Sequence, residues 1–222
     1  MIVLPNVLTP EELDFCHEIL INSSFEEGKL TAQGAARQAK NNEQLQRTQE
    51  TATEIDAVLI QAISRDSLLA AWAQPMTISI PLINRHGTGM HYGFHVDAAV
   101  TTHHSVMRRD ISVSLFLSDP NSYEGGELEV ESPAGLQRIK LPAGHGYAYA
   151  THALHQVRPV TSGTRYAAVF WLQSVIPDDQ MRQTLFELHA VTHALTERGL
   201  SGHEMLMLSK IHQNLIRKFS QP

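Results

Sequence analysis

Cysteine is nearly absent from this 222-residue chain: Cys16 stands alone, so no intrachain disulfide can form and a reducing compartment, the cytoplasm, is expected. Basic residues are in deficit, 17 against 23 acidic, for a formal charge of -6. That balance offers no stripe to displace the counterions of a phosphate backbone, which argues against nucleic acid as a partner. No apolar run approaches the roughly 18 residues of a membrane span, and Met1-Ile-Val-Leu-Pro5 lacks the basic lead-in of an export signal, so no membrane partner is expected. There is no Gly-x-Ser-x-Gly elbow and no glycine-rich phosphate loop, which sets hydrolase, kinase and nicotinamide chemistry aside.

What is there is the composition of a folded globular chain, with 42% hydrophobic and 18% charged residues and enough length for a sizeable core. A strand over Ile2–Leu8 should lead into Thr9-Pro10-Glu11-Glu12, a capping residue, a proline at the first helical position and a glutamate three after the cap. A helix is expected to about Ser23, carrying Cys16 as a buried thiol. Residues 24–43 show no clear periodicity. Ile55, Val58, Leu59 and Ala62 then mark a second amphipathic helix over about Glu43–Arg65. From Met76 short β-branched or aromatic runs recur about every ten residues between Gly, Pro, Asn and Asp. Strands are expected at Met76–Ile83, Asp110–Leu117, Glu127–Glu131, Leu136–Leu141, Gly146–Ala150 and Arg165–Val175. So many strands without helices between them point to an α+β chain with a mainly β core, a double-sheet jelly roll, preceded by N-terminal helices. After Pro177 the stripes Leu185, Leu188, Val191, Leu195 and Leu206, Ile211, Leu215 predict a C-terminal helical pair, packed on the sheet or building a homo-oligomer.

One constellation carries chemistry. In His95-Val96-Asp97 an imidazole and a carboxylate fall two residues apart, on one face of an extended chain, so both can reach one ion. A His-x-Asp is weak by itself, but this one sits at the mouth of the β region. His155 lies beyond further strands, and two His with one carboxylate suit iron(II) with open coordination positions. His152 competes for that place, and local spacing does not decide between them. Arg165 opens an otherwise apolar strand, where an arginine needs an anionic partner such as a bidentate carboxylate.

Several further segments complete a pattern: Asn84-Arg85, Tyr92-x-x-His95-x-Asp97, Arg109-Asp110-Ile111-Ser112, Tyr123-Glu124-Gly125-Gly126-Glu127-Leu128, Leu154-His155-Gln156-Val157-x-Pro159 with Gly163-x-Arg165, and Phe170-Trp171-Leu172-Gln173-Ser174. Over about Met76–Asp179 these resemble the iron(II)/2-oxoglutarate oxygenases of the prolyl 4-hydroxylase-like group, most nearly the bacterial PKHD-type hydroxylases. The resemblance implies a double-stranded β-helix core over about residues 76–177, within a dioxygenase domain of residues 1–177, followed by a helical extension of residues 178–222. It implies His95, Asp97 and His155, not His152, as ligands of Fe(II), and Arg165 as the partner of the 2-oxoglutarate C5 carboxylate. It further implies dioxygen as cosubstrate, L-ascorbate to keep the metal reduced, and hydroxylation of an unidentified substrate with release of succinate and CO2. Several members are associated with iron or siderophore uptake. His86 and His145 depart from the pattern, where an aromatic and an acidic residue are usual.

Around this core Tyr92 is a candidate for hydrogen-bonding the cosubstrate or a metal ligand, and Asn84 and Arg109 for binding an anionic substrate or bracing the loop. His103 and His104 are placed in a loop or lid, and His86, His91 and His145 at the rim or surface. The rival readings are a cupin-like sensor or binding protein that holds a metal without catalysis, in which Arg165 recognises nothing, and a fold in which His95 and Asp97 merely bond each other.

Overall fold

The computed structural model describes residues 1–32, 34–47, 50–101 and 106–221, together with the backbone but not the side chains of Glu50 and Thr51. His103 and His104 lie outside the described residues. The chain begins with β1 (Ile2–Leu4) and α1 (Pro10–Asn22). β1 is shorter than the Ile2–Leu8 expected, because Pro5 has no amide to donate to a ladder and Asn6 turns at a φ of 51°. Helix α1 starts where expected. Thr9 accepts from the Glu12 amide and the Glu12 carboxylate accepts from the Thr9 amide, which closes a capping box.

The aperiodic stretch that follows is not a loop. It builds β2 (Phe25–Glu27), a 3-10 turn (Gly28–Thr31), α2 (Gly34–Ala39), β3 (Lys40–Asn41) and β4 (Glu43–Leu45). Elements this short leave no period to read. Glu43–Leu45 was expected to open a helix; instead it pairs as a strand with residues 84–85, and the helix α3 (Glu50–Arg65) begins beyond it. Helix α4 (Ser67–Ala73), capped by Asp66 at the Leu69 amide, was not anticipated.

Next come β5 (Pro75–Ile78), β6 (Leu82–His86), β7 (His91–His95), β8 (Val100–Thr101), β9 (Met107–Arg108) and β10 (Ile111–Phe116). They are followed by β11 (Tyr123–Gly125), β12 (Leu128–Ser132), β13 (Gly135–Ile139), β14 (Gly146–Ala150), β15 (His155–Val157), β16 (Val160–Gly163) and β17 (Arg165–Ser174). Helices α5 (Asp179–Glu197) and α6 (His203–Phe219) end the chain. One sheet runs β1-β14-β10-β17-β6-β4-β2, with β5 also on β17, and a second runs β13-β12-β15-β7-β3; their pairings are antiparallel. This is the double-sheet jelly roll. β3 belongs to one sheet and β4 to the other, so the chain crosses the seam between them at Asn42 alone.

The first sheet has two unlike faces. Outward, Val113, Leu115, Ala168, Phe170 and Leu172 pack with Leu20, Ile55, Leu59 and Leu69 of the helices into the main core. Because successive strand residues face opposite sides, Ser112, Ser114 and Phe116 of β10 and Arg165, Ala167 and Trp171 of β17 face the second sheet. The alternation in β10 therefore places its polar residues inside the jelly roll, and the strand is buried throughout. A smaller apolar cluster, Phe116, Leu128, Val130, Tyr147 and Tyr149, closes that interior at one end. Gly125 lets β11 approach β16: at a φ of +70° its missing Cβ would lie 2.1 Å from the Pro159 carbonyl oxygen.

Helix α5 is anchored by Arg182, buried and donating to the Ile176 and Pro177 carbonyls, and by Trp72 Nε1 donating to Gln183. Helix α6 packs on α5 and buries no residue fully, leaving Leu206 and Ile211 exposed. No helix among the described residues is long and apolar enough to cross a membrane.

Candidate metal centre and cosubstrate pocket

His95 ends β7 and His155 opens β15, and the two residues face each other in the register of the second sheet. Cross-strand partners project to one side, and their rings stand with centroids 4.2 Å apart. Asp97 follows just beyond the end of β7. Its oxygens lie 3.8 Å from His95 Nε2 and 3.7 Å from His155 Nε2. One donor atom from each of the three residues falls within 4.8 Å of the others, and no other such trio occurs among the described residues.

The orientation of each donor is fixed from behind. His95 Nδ1 bonds the Gly93 carbonyl at 2.8 Å and His155 Nδ1 bonds the Ala153 carbonyl at 3.0 Å. A carbonyl only accepts, so each Nδ1 carries the proton and each Nε2 lone pair is left for a cation. Asp97 Oδ2 accepts from Ser112 Oγ and from Trp171 Nε1, both at 2.9 Å. Ser112 and Trp171 are themselves a cross-strand pair of the first sheet. Thus one sheet supplies two imidazoles while the other aims the carboxylate. Burial, with His155 second, holds His95 below the usual imidazole range, which keeps it neutral and able to ligate. Tyr92 lies flat on His95, centroids 3.5 Å apart.

His152 points elsewhere. It is exposed and its Nε2 bonds Asp179 at the start of α5, 3.3 Å away.

Deeper between the sheets the character of the side chains changes. Arg165 is 2% exposed, stacks over Phe116 and makes no ion pair among the described residues. Its Nε has no hydrogen-bond partner, and neither has the hydroxyl of Tyr123 beside it. Burial lowers the Arg165 pKa, with Tyr123 acting against that trend. Gly126 makes room for its stem: a Cβ there would stand 3.1 Å from Arg165 Cδ. His86 faces Arg165 across β6 and β17 and is likewise 2% exposed, so its expected place at the rim is corrected. The strand register, unreadable at this position in the sequence, turns it inward. Both of its ring nitrogens lack partners, and burial first, then Arg165 and Lys40, hold it well below the ordinary histidine range. A buried guanidinium without a carboxylate is costly to the fold, and an incoming anion would offset that cost. The donor trio likewise suits a divalent metal with open positions.

Comparison with known proteins agrees with this geometry. A family model described as the 2OG-Fe(II) oxygenase superfamily matches residues 81–173. A PKHD-type hydroxylase of Xanthomonas campestris is 40% identical over 225 residues, covering 99% of each chain. The chain belongs to the PKHD-type hydroxylase family. The PKHD-type hydroxylase YbiX of Escherichia coli is also 40% identical, over 98% of each chain. A prolyl hydroxylase of Trichoplax adhaerens, solved with a peptide fragment of hypoxia inducible factor, shares the fold at a TM-score of 0.56 and 15% identity, covering 83% of this chain and 86% of that one. As a PKHD-type hydroxylase the protein is an oxygenase of the family that uses iron(II) and 2-oxoglutarate, with dioxygen as cosubstrate.

The remaining candidates divide. Asn84 is committed to the fold: its Oδ1 accepts from Asn42 and Gln44, and its Nδ2 donates to the Leu82 carbonyl. Arg109 stacks over Trp171 at 3.9 Å, and its Nε has no partner. His91 and His145 are half-buried. The residues to which the sequence assigned no part in the site are Ser112 and Trp171 behind Asp97, Tyr123 and His86 beside Arg165, and Lys40. Lys40 is 3% exposed, reaches over the Tyr92 ring and donates to Thr31 Oγ1 at 2.9 Å. Burial brings its pKa down to about 8, against the pull of Asp97. The signal available was Lys40, Asn42 and Gln44 at alternate positions, a polar period of two in a stretch read as aperiodic.

Proposed function

We propose that this protein hydroxylates a C–H bond of its substrate, with His95, Asp97 and His155 holding iron(II) and Arg165 holding 2-oxoglutarate. When bound, iron(II) with 2-oxoglutarate and dioxygen supplies the oxidising power, and the cosubstrate leaves as succinate and CO2. The protein's own part is positional. The Gly93 and Ala153 carbonyls keep both imidazoles in the ligating tautomer, and Ser112 with Trp171 occupy Asp97 Oδ2 so that Oδ1 is the free donor. Arg165, buried with its Nε unpartnered, offers a guanidinium edge to a carboxylate in a space from which water is largely excluded.

The observation that carries the reading is this combination of a converged trio and an unpaired buried arginine within one interior. The cupin-like sensor accounts for the trio alone. Residues 1–177 then form the dioxygenase domain and residues 178–222 its helical extension, and the exposed apolar side chains of α6 support contact between copies there. L-ascorbate as reductant and a role in iron or siderophore homeostasis belong to the same reading through the family likeness.

The test is the visible spectrum of anaerobic protein with iron(II) and 2-oxoglutarate. A charge-transfer band of the chelate should form in wild type and His152→Ala and vanish in His155→Ala. It should need far more 2-oxoglutarate in Arg165→Ala. Iron binding without a band at any 2-oxoglutarate concentration would leave the sensor as the better account.

A further inference from the structure

Most arginines on or beside the strands, among the described residues, have a carboxylate. Arg85 pairs with Glu43, Arg108 with Asp110, and Arg138 and Arg158 with Glu129. The cations turned toward the metal trio do not follow that rule. Among the described residues Lys40 has only the neutral hydroxyl of Thr31 and the face of Tyr92, the ring stacked on His95. Among the same residues Arg109 has only the face of Trp171, the side chain that donates to Asp97. Lys40 thus stands beyond the His95 side of the trio and Arg109 beyond its Asp97 side. Asp97 is the carboxylate that acts electrostatically on both. Residues 102–105, the stretch outside the described structure nearest to Arg109 in the chain, read Thr-His-His-Ser and contain no carboxylate.

Charge counting shows what this leaves over. A divalent metal, the Asp97 carboxylate, a dianionic 2-oxoglutarate and the Arg165 guanidinium sum to zero. Lys40 and Arg109 are then two cations in surplus, one of them almost fully buried. Holding a buried ammonium without a counter-charge opposes folding, and the cost is recovered only when an anion arrives. Neither cation is a ligand donor, and because Lys40 acts on His86, the cross-strand neighbour of Arg165, 2-oxoglutarate affinity is the control that separates this anion from the cosubstrate. A neutral peptide side chain would leave both unanswered.

We infer that Lys40 and Arg109 form an anion-recognition site beside the metal trio, and that the substrate presents a carboxylate-class anion to it. The inference rests on the oxygenase reading above and names the substrate class for that site. Lys40 grips at short range from within the wall, as a point charge with rotatable donors, while Arg109 offers the open edge of a planar fork.

The test uses benzoate and its neutral counterpart benzamide, which share a shape and differ in charge. The holoprotein is loaded with 2-oxoglutarate and with manganese(II) as a paramagnetic replacement for iron, and proton relaxation of each probe is measured. Benzoate relaxation should be enhanced at least fivefold over benzamide. That excess should fall at least fivefold in Lys40→Met and in Arg109→Gln, with the affinity for 2-oxoglutarate, read from the iron(II) band, changed less than twofold. Arg109 is half-buried and its variant keeps the fold even if Lys40→Met does not. Equal relaxation of the two probes, or no enhancement of either, overturns the inference. So does an excess that survives in Arg109→Gln and in folded Lys40→Met, or one lost together with 2-oxoglutarate affinity. If no band forms in wild type, it is the oxygenase reading that has failed, and the substrate class falls with it.

Discussion

The two ends of the interior are built on opposite rules. At the mouth, each donor is supported: the two Nδ1 atoms bond carbonyls and Asp97 Oδ2 receives two donors. Inside, Arg165, His86 and Tyr123 keep polar atoms without partners although all are buried. Satisfied groups hold a geometry in advance of a ligand, whereas unsatisfied ones define the ligand by what they lack. On the proposed reading the first arrangement holds the metal ligands, whose directions must not relax, and the second meets the cosubstrate dianion.

That contrast breaks most sharply at the trio. Replacing His155 with alanine should lower 2-oxoglutarate turnover by more than about 1000-fold while His152→Ala stays within about twofold, because only one of them faces Asp97; succinate release measures both. Arg165→Met should raise the Kd for 2-oxoglutarate by about 100-fold, the loss of a charged bidentate contact worth about 2–3 kcal/mol. The same variant should stabilise the ligand-free protein against urea by about 1 kcal/mol, since it removes a buried charge that has no counter-ion. A destabilised Arg165→Met would mean that the arginine is part of the fold and would erase the distinction between the two ends. Trp171→Phe keeps an aromatic ring but removes the indole donor to Asp97 Oδ2, and calorimetric titration of the metal should show affinity reduced by roughly 10–100-fold.

A subtler effect sharpens the comparison through Lys40. Burial lowers its pKa to about 8, against 10.5 in an unfolded chain. Below pH 8 both states hold the proton and the folded state carries the full cost of the charge. Between pH 8 and 10.5 the folded lysine is neutral while the unfolded one still binds a proton, so Lys40 contributes stability that rises with pH there, by at most about 1.4 kcal/mol per unit, opposed above pH 9 by the Cys16 thiol, pushed up to about 12 by burial. The difference in urea stability between wild type and Lys40→Met, ligand-free, should therefore rise from pH 7.5 through 8.5 to 9.5, and a flat difference would remove the buried charge from the account.

How much of this was legible in the sequence depended on the length of the element. Strands β10, β14 and β17 and helix α5 announced themselves because five or more residues repeat a period. β7 and β15, which carry the two histidines, did not: β15 has three residues, and β7 is a His-Tyr-Gly-Phe-His run without apolar alternation. Spacing likewise left His152 and His155 equal, since only the turn at residues 151–154 decides which imidazole enters the barrel, and that turn is set by tertiary pairing with β12 and β7. The inward face of His86 was hidden for the same reason. Glu43–Leu45 misled because its residues suit a helix, and its strand exists only through pairing with β2 and β6, both remote in the chain.

The passage of the chain from one sheet to the other at Asn42 has a consequence for exchange between relatives. Residues 25–45 deliver Lys40 and the amides of Asn42 and Gln44 to the interior without contributing a ligand to the trio. On the proposed reading this strap carries one of the two cations that meet the substrate and none of the metal ligands, so exchanging residues 25–45 for those of a relative should alter anion recognition while metal affinity stays unchanged.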